Sequence, residues 1–182
     1  MSLHNEFGWV CWFCGMSGSG KTTIANHFLR LAIKLSSNTI ILDGDAIREM
    51  LDLEDKERDY TIEARAAVTN KIQAIANFLI RQNINVVVCN ITAQNKLLEE
   101  NRKMFLKYFE VFIDADIKQL IKLDSKDIYK KALNGQLFDV VGVDIPYQKP
   151  LSPDIIIKNG LKLKDPELIA SDIWGAFKKS IL

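Results

Sequence analysis

The sequence predicts an α/β domain in which a five-stranded parallel sheet is covered by helices on both faces. Apolar runs with strand character alternate with stretches of helical spacing along the chain, which is typical of a parallel sheet with crossover helices. Residues 86–89 (VVVC) contain no polar position, as expected for a strand buried on both sides. Because no linker or internal repeat interrupts the 182 residues, we expect one domain spanning residues 1–182.

The first predicted strand, residues 9–14, leads through a glycine-rich loop into a helix. Residues 15–22 (GMSGSGKT) match G-x-x-x-x-G-K-[ST] at every fixed position. In such a loop the backbone N–H groups and the helix N-terminus attract phosphate, the lysine reaches the β- and γ-phosphates, and the hydroxyl ligates Mg²⁺. The sequence therefore predicts the P-loop NTPase fold. The residues predicted to bind a nucleoside triphosphate are Gly15, Ser17, Gly18, Ser19, Gly20, Lys21, Thr22 and Thr23.

The remaining predicted elements alternate along the chain. Further strands are predicted at residues 39–42, 86–89, 111–114 and 155–157. Helices are predicted from residue 23 to about 35, in a short stretch ending near 51, and at 61–82, 95–107, 116–123, 127–134 and 165–179. Residues 52–60 are charged and are expected to form an irregular, mobile surface segment, whereas residues 135–153 are punctuated by Gly and Pro and are expected to be irregular.

The composition argues against several other classes of protein. The net charge of +1 and the absence of a basic-aromatic array argue against a nucleic-acid partner. The apolar runs are too short to cross a bilayer and the N-terminus lacks the pattern of a signal peptide, so we expect a cytoplasmic protein without a membrane partner. Cys11 and Cys14 form C-x-x-C but should point to opposite faces of a strand, so we expect them and Cys89 to be buried thiols.

Two carboxylates follow the second predicted strand, where they should lie beside the glycine-rich loop. Asp43 and Asp45 could hold the water ligands of Mg²⁺ or accept a proton from an attacking hydroxyl, and either could instead cap a turn or the next helix. Arg48, one helical turn later, would face the same cleft and could bind an anionic substrate. The third strand ends without the acidic residue of a Walker B motif, which favours a small-molecule kinase over a motor ATPase or GTPase.

From about Trp12 to Ile157 the sequence resembles the adenylylsulfate (APS) kinase family. Four ordered segments carry the resemblance: the loop GMSGSGKTTIA, residues 42–48 (LDGDAIR), residues 124–135 (DSKDIYKKALNG) and residues 141–150 (VGVDIPYQKP). The resemblance implies Mg²⁺-dependent transfer of a phosphoryl group from ATP to the 3′-hydroxyl of a nucleotide. It also implies a lid around residues 124–150, and a homodimer.

The resemblance assigns roles residue by residue. Lys21 and Asp45 are expected to be catalytic, and Thr22 and Asp45 to bind the metal ion. Lys130 and Lys131 match lysines of the lid. The residues expected at the acceptor nucleotide are Asp43, Arg48, Arg65, Asn90, Ile91, Thr92, Lys130, Val140 and Val141.

The sequence departs from the family where the acceptor base should bind. Val140 stands where the family has a phenylalanine that stacks on adenine, and an L-G-F segment is aligned with residues 51–55, which contain no aromatic ring. Phe138 could supply the missing ring. Two acceptors therefore stay open: APS, or a cytidine nucleotide carrying a phosphoramidate. A nucleotide-binding regulator without activity is less expected, because Lys21, Thr22 and Asp45 are retained.

Overall fold

The structure, a computed structural model, describes residues 7–51, 60–124, 127–159 and 165–182. Its five strands form one parallel sheet in the order β2-β3-β1-β4-β5. The strands are β1 (Val10–Cys14), β2 (Thr39–Asp43), β3 (Asn85–Cys89), β4 (Tyr108–Asp114) and β5 (Ile155–Lys158). The prediction of a five-stranded parallel sheet is confirmed.

Seven helices are present in the described ranges. They are α1 (Lys21–Leu35), α2 (Gly44–Met50), α3 (Ile62–Ile80), α4 (Asn95–Met104), α5 (Ile117–Leu123), α6 (Ile128–Leu133) and α7 (Pro166–Ile181). None of them is long and apolar enough to cross a bilayer. Most of the segment predicted to be irregular at residues 52–60 lies outside the described residues, as does Lys126 of the lid motif.

The boundary between α4 and β4 was predicted wrongly. Helix α4 ends at Met104 rather than near residue 107, and β4 starts at Tyr108 rather than at Val111. The error arose because a charged residue such as Glu110 is not expected in a buried strand. In the structure Glu110 is nevertheless only 1% exposed. Its carboxylate accepts a hydrogen bond from the Tyr108 hydroxyl (2.9 Å) and lies 3.7 Å from the Arg102 guanidinium, so burial is partly compensated.

Each face of the sheet packs against its own set of helices. One core cluster joins the sheet to α1 and α7 and contains Cys11, Phe28 and Phe177, and the other joins it to α3 and contains Cys14 and Ile72. The two cysteines of the C-x-x-C pair thus lie on opposite faces, as predicted. Burial raises the pKa of both thiols, so neither is poised for redox or metal chemistry.

The topology brings the functional segments together at one edge. All five strands run in the same direction, so their carboxyl ends meet, and β1 lies in the centre of the sheet. Residues 15–20 follow β1, Asp43 closes β2 and Asn90 follows β3. In open parallel sheets this edge is where ligands bind.

Candidate active site

The loop between β1 and α1 has the conformation that its glycines permit. Gly15 has a φ of 146°, and a Cβ there would lie 2.6 Å from the carbonyl oxygen of Ile113. Helix α1 starts at Lys21 after Gly20, and no side chain caps its first N–H groups. Those groups are therefore available to an anion, and the helix dipole favours negative charge there.

Lys21 is held beneath this loop. The residue is 8% exposed, and its Nζ donates a hydrogen bond to the carbonyl oxygen of Met16 at 2.7 Å. Burial lowers the pKa of Lys21 to about 8, and the nearby carboxylates of Asp45 and Asp43 partly oppose that shift. Lys21 thus lies close to both carboxylates, with an ammonium group that a phosphate would stabilise.

The lowered pKa of Lys21 predicts that ATP affinity falls above pH 8. Below about pH 8 the free protein already carries the ammonium; above it, ATP must bind together with a proton, because phosphates favour the charged form. We expect the Kd for ATP to be flat from about pH 7 to 8 and then to rise, at most about tenfold per pH unit. Isothermal titration calorimetry in buffers of different ionisation enthalpy measures both the Kd and the proton uptake.

The matched variant for this pH experiment is Lys21→Arg. Arginine keeps the positive charge but does not titrate in this range. The rise in Kd should therefore disappear in Lys21→Arg, even if the longer side chain weakens binding at every pH. A wild-type Kd that stays constant up to about pH 9.5 would show that Lys21 does not titrate as the structure indicates.

The Thr22 hydroxyl and the carboxylates of Asp43 and Asp45 lie beside the loop and offer oxygen atoms to a metal ion. The Thr22 hydroxyl donates a hydrogen bond to Oδ2 of Asp43 at 2.9 Å, and Oδ1 of Asp43 accepts one from the backbone N–H of Asp45 at 3.0 Å. Asp43 therefore caps α2 and ties it to the P-loop helix. Hydroxyl and carboxylate oxygens are suitable ligands for Mg²⁺ or its waters, so the residues fit the ion that the sequence implies.

The protein supplies only part of a magnesium site by itself. Among the described residues there is no group of three or more His, Cys, Asp and Glu side chains that could hold a metal ion. Magnesium in kinases is commonly held by one or two protein oxygens together with the phosphates of the nucleotide. Thr22, Asp43 and Asp45 match that arrangement. Asp43, which the sequence predicts at the acceptor, is hydrogen-bonded to Thr22 of the P-loop helix.

Arg48 and Arg65 both lie against the ring of Tyr60. Their guanidinium carbons lie 5.2 Å and 5.1 Å from the centre of the Tyr60 ring. Arg65 also donates hydrogen bonds to the carbonyl oxygens of Tyr60 (2.8 Å) and Asp139 (2.9 Å). Burial, followed by the charge of Arg48, lowers the pKa of Arg65. Two partly desolvated cations held this close favour an anionic ligand between or beside them.

The residues after β3 are engaged in internal contacts. The Asn90 amide donates to the Thr69 hydroxyl at 2.8 Å, and its Oδ1 accepts from the N–H of Ile91 at 3.0 Å. A Cβ at Gly44 would lie 2.8 Å from that Oδ1, so this glycine allows α2 to approach β3 closely. Thr92 is buried and accepts a hydrogen bond from the Trp12 indole at 3.0 Å. Asn90 and Thr92, which the sequence predicts at the acceptor, are thus held in place by internal hydrogen bonds.

Val140 and Val141 also point into packed surroundings. Val140 is 4% exposed and packs with Tyr129 in one small cluster, whereas Val141 is 3% exposed and belongs to another. The carboxylate of Asp144 accepts hydrogen bonds from the N–H groups of Asp139 (2.5 Å) and Val140 (2.6 Å) and so fixes this turn. Val140 therefore contributes shape rather than a ring, whereas Phe138 is 70% exposed.

Helix α6 of the predicted lid is joined to the P-loop. The Tyr129 hydroxyl donates a hydrogen bond to the carbonyl oxygen of Ser17 at 2.8 Å. The N–H of Lys130 donates to Asp124 at 2.8 Å, while its exposed ammonium lies 3.3 Å from Asp127. The backbone of the lid helix is thus anchored, and the ammonium of Lys130 remains near the surface, where a ligand could recruit it.

Three residues that support the site were not predicted. Tyr60, Tyr129 and Asp144 hold the arginines, the lid and the Val140 turn by the contacts given above. Tyr129 and Asp144 occur in the segments that carry the family resemblance, which was a usable signal. Tyr60 was missed because the aromatic ring was sought at residues 51–55, whereas it lies five residues before Arg65.

Comparison with known families decides the class of this site. The sequence model described as adenylylsulphate kinase matches residues 7–158. The chain belongs to the adenylylsulfate kinase family. It is therefore a phosphotransferase with ATP-dependent kinase chemistry acting on a small nucleotide, and the resemblance seen in the sequence is confirmed.

Individual relatives of this family member differ in their substrates. A cytidine diphosphoramidate kinase of Campylobacter jejuni is 37% identical over 155 residues, covering 85% of this chain and 88% of the relative. An adenylyl-sulfate kinase of Chloroflexus aurantiacus is 34% identical over 154 residues, covering 85% and 81%. An APS kinase of Mycobacterium tuberculosis, solved in complex with AMPPNP and APS, superposes with a TM-score of 0.83 at 25% identity, covering 94% and 98%.

Proposed function

We propose that this protein transfers the γ-phosphoryl group of ATP to the 3′-hydroxyl of a nucleotide. The observation that carries the proposal is the hydrogen bond from Thr22 to Asp43, which joins the P-loop helix to α2. It brings Asp45, in the first turn of α2, to the phosphate end of the cleft, and Arg48 follows one turn later. A carboxylate and a cation thus lie next to a phosphate cradle, as phosphoryl transfer to an alcohol requires.

The proposed reaction divides between two sets of residues. The P-loop amides and Lys21 bind the β- and γ-phosphates and stabilise the charge that moves onto ADP. Asp45 orients the 3′-hydroxyl and accepts its proton as the oxygen bonds to the γ-phosphorus and the bond to the β-phosphate oxygen breaks. Magnesium, held by Thr22 with Asp43 and Asp45, would neutralise phosphate charge. Arg48 and Arg65 position the acceptor by its anionic 5′ group.

The first candidate acceptor is APS, the substrate that the family resemblance implies. Its phosphate and sulfate groups suit the pair formed by Arg48 and Arg65, which already repel each other. The Tyr60 ring lies against both guanidinium groups and adds aromatic surface beside this pair.

A second candidate acceptor is a cytidine diphosphoramidate, and one observation favours it. Val140 is buried in a cluster with Tyr129, so position 140 offers no ring to the cleft. Stacking on an aromatic side chain is worth about 1–3 kcal/mol per base. A pyrimidine has a smaller ring surface than adenine, so it loses less binding energy when valine replaces phenylalanine at position 140. The relative from Campylobacter jejuni carries that substrate in its name.

A coupled assay of ADP release distinguishes these acceptors. Purified protein is supplied with ATP and Mg²⁺ and either APS, cytidine diphosphoramidate or no acceptor. We expect one acceptor to raise ADP release at least about tenfold above the acceptor-free background, because the uncatalysed route to water lacks a positioned hydroxyl. No stimulation by either nucleotide would contradict the proposal and favour a nucleotide-binding regulator.

Three further features belong to the same proposal. Residues 1–182 would act as one kinase domain whose lid spans residues 124–150, anchored at Tyr129. The substrates are soluble nucleotides, which supports a cytoplasmic location. A homodimer is supported by the family resemblance, and the exposed side chains of Leu151 and Ile156, beside and on the edge strand β5, offer apolar surface for it.

A further inference from the structure

The buried hydroxyl of Tyr129 holds one carbonyl group of the P-loop in a fixed direction. It donates to the carbonyl oxygen of Ser17 at 2.8 Å, and Tyr129 is only 2% exposed. Burial raises the pKa of Tyr129 to about 12, so the hydroxyl keeps its proton and remains a donor at neutral pH. The Ser17 carbonyl group is therefore directed toward α6.

The direction of this carbonyl group also sets the direction of the next N–H group. The peptide bond between Ser17 and Gly18 is trans, so the carbonyl of Ser17 and the N–H of Gly18 point in opposite directions. The N–H of Gly18 thus points away from Tyr129. Within the described part of the chain this N–H has no hydrogen-bond acceptor, and Gly18 is exposed. The group is therefore available to a ligand.

The apolar surroundings of Tyr129 determine on which side of this peptide a phosphate can lie. Tyr129 packs with Leu120 and Val140 in a cluster that also contacts Met16 of the loop. A charged phosphate cannot enter such a cluster without a large desolvation cost. The phosphates of a nucleotide must therefore lie on the other side of the peptide, toward which the N–H of Gly18 is directed.

Gly18 does not fix the orientation of the peptide by itself. Its φ is 73°, and glycine adopts positive and negative φ with similar ease, so the peptide can rotate at little local cost. Packing does not prevent rotation either, since even a Cβ at Gly18 would lie 3.8 Å from its nearest neighbour, Leu120. After a rotation of 180° the carbonyl oxygen of Ser17 would face the phosphates and repel them. The bond from Tyr129 selects the orientation that attracts them.

We propose that Tyr129 is a positioning residue which, by holding the Ser17 carbonyl, keeps the N–H of Gly18 directed at the phosphates of the donor nucleotide. The inference rests on the proposed function, in which the loop binds ATP. Without the hydroxyl the peptide samples both orientations, and only the fraction with the N–H toward the phosphates binds them well. One hydrogen bond of this kind changes an equilibrium about three- to tenfold. We expect Tyr129→Phe to bind ADP more weakly by that factor.

Nuclear magnetic resonance of labelled protein reports on this peptide directly. The sequence contains two Ser–Gly pairs, at residues 17–18 and 19–20. Protein with ¹³C at the serine carbonyls and ¹⁵N in glycine gives one correlation signal from each pair, and Ser17→Ala identifies the first by its loss. In the wild type, ADP with Mg²⁺ should shift the N–H resonance of Gly18. The carbonyl resonance of Ser17 should stay nearly in place, because its partner does not change.

The same two signals separate the role of the Tyr129 hydroxyl from a general effect on folding. In free Tyr129→Phe the carbonyl resonance of Ser17 should shift, because it loses its donor, and ADP should shift it again as the peptide is reoriented. The carbonyl of Ser19 accepts its hydrogen bond from Asn159, so its resonance in the free variant should match the wild type. Calorimetry with ADP and Mg²⁺ measures the change in affinity.

Tyr147→Phe is the matched control, since it removes the hydroxyl of another mostly buried ring, one that stacks on Phe112. It should keep the wild-type Ser17 signal and the wild-type affinity for ADP. The inference is overturned if Tyr129→Phe keeps both as well, or if the two variants lose affinity equally.

The wild-type titration decides the matter if Tyr129→Phe does not fold. Binding of ADP that leaves the N–H resonance of Gly18 unmoved, or that shifts the Ser17 carbonyl strongly, overturns the inference and leaves the proposed function intact. A wild-type protein that binds no ADP at all would overturn both.

Discussion

Replacement of Asp45 by asparagine is expected to lower kcat by about 10²–10⁴-fold, the range for loss of a positioned general base. Asparagine keeps the size and the position in the first turn of α2 but cannot take the proton of the 3′-hydroxyl. The substitution leaves unchanged the groups proposed to bind the ATP phosphates, Lys21 and the P-loop amides, so the KM for ATP should change by a smaller factor than kcat. Initial rates at saturating Mg²⁺, with whichever acceptor proves active, measure both constants.

Glu49→Gln is the matched control for Asp45→Asn. It makes the same carboxylate-to-amide change on the same helix, at an exposed position one turn further along. Its kcat should equal that of the wild type, and both variants should melt at the wild-type temperature. If Asp45→Asn kept kcat within about threefold of the wild type, a difference of less than 1 kcal/mol in the barrier, Asp45 would not be the base.

The second large effect is expected for Lys21→Met, which should reduce kcat/KM by at least about 10²–10³-fold. Methionine fills the space of the lysine stem beneath the loop but removes the charge that faces the phosphates. Removing a buried ammonium also removes its desolvation cost, so the fold should not be destabilised much. The measurements are kcat/KM for ATP and the melting temperature.

Lys34→Met serves as the control for Lys21→Met. Lys34 lies in the last turn of the same helix, far from the loop, and its side chain is exposed. Its loss should leave kcat/KM unchanged. A Lys21→Met protein with less than a tenfold defect, about 1.4 kcal/mol, would mean that the loop amides alone hold the transferring phosphoryl group.

The fold could be predicted because short sequence patterns indicate the same strands and helices that form the parallel sheet and its covering layers. The glycine-rich loop fixed the first strand and helix, and the uninterrupted apolar run at residues 86–89 marked a strand covered on both sides. The start of β4 could not be predicted from such a local pattern. Glu110 is tolerated in a buried strand only because Tyr108 and Arg102 compensate its carboxylate, and such long-range pairing leaves no local pattern.

The phosphate half of the site was predictable, and the surroundings of the proposed acceptor site were not. A motif specifies the P-loop, whereas the role of Tyr60 depends on the fold, which brings its ring against Arg48 and Arg65. The sequence shows that position 140 lacks an aromatic ring, but it does not show that the Val140 side chain is buried.

The position of the transferred phosphate tests the central claim most directly. The product formed with ATP, Mg²⁺ and the active acceptor is purified and analysed by proton–phosphorus correlation NMR. We expect the new phosphorus to couple to the ribose H3′, because in the proposed mechanism Asp45 deprotonates that hydroxyl while Lys21 and the P-loop hold the γ-phosphate. A new phosphorus coupled to H2′ or H5′, or inorganic phosphate as the sole phosphorylated product besides ADP, would contradict the account.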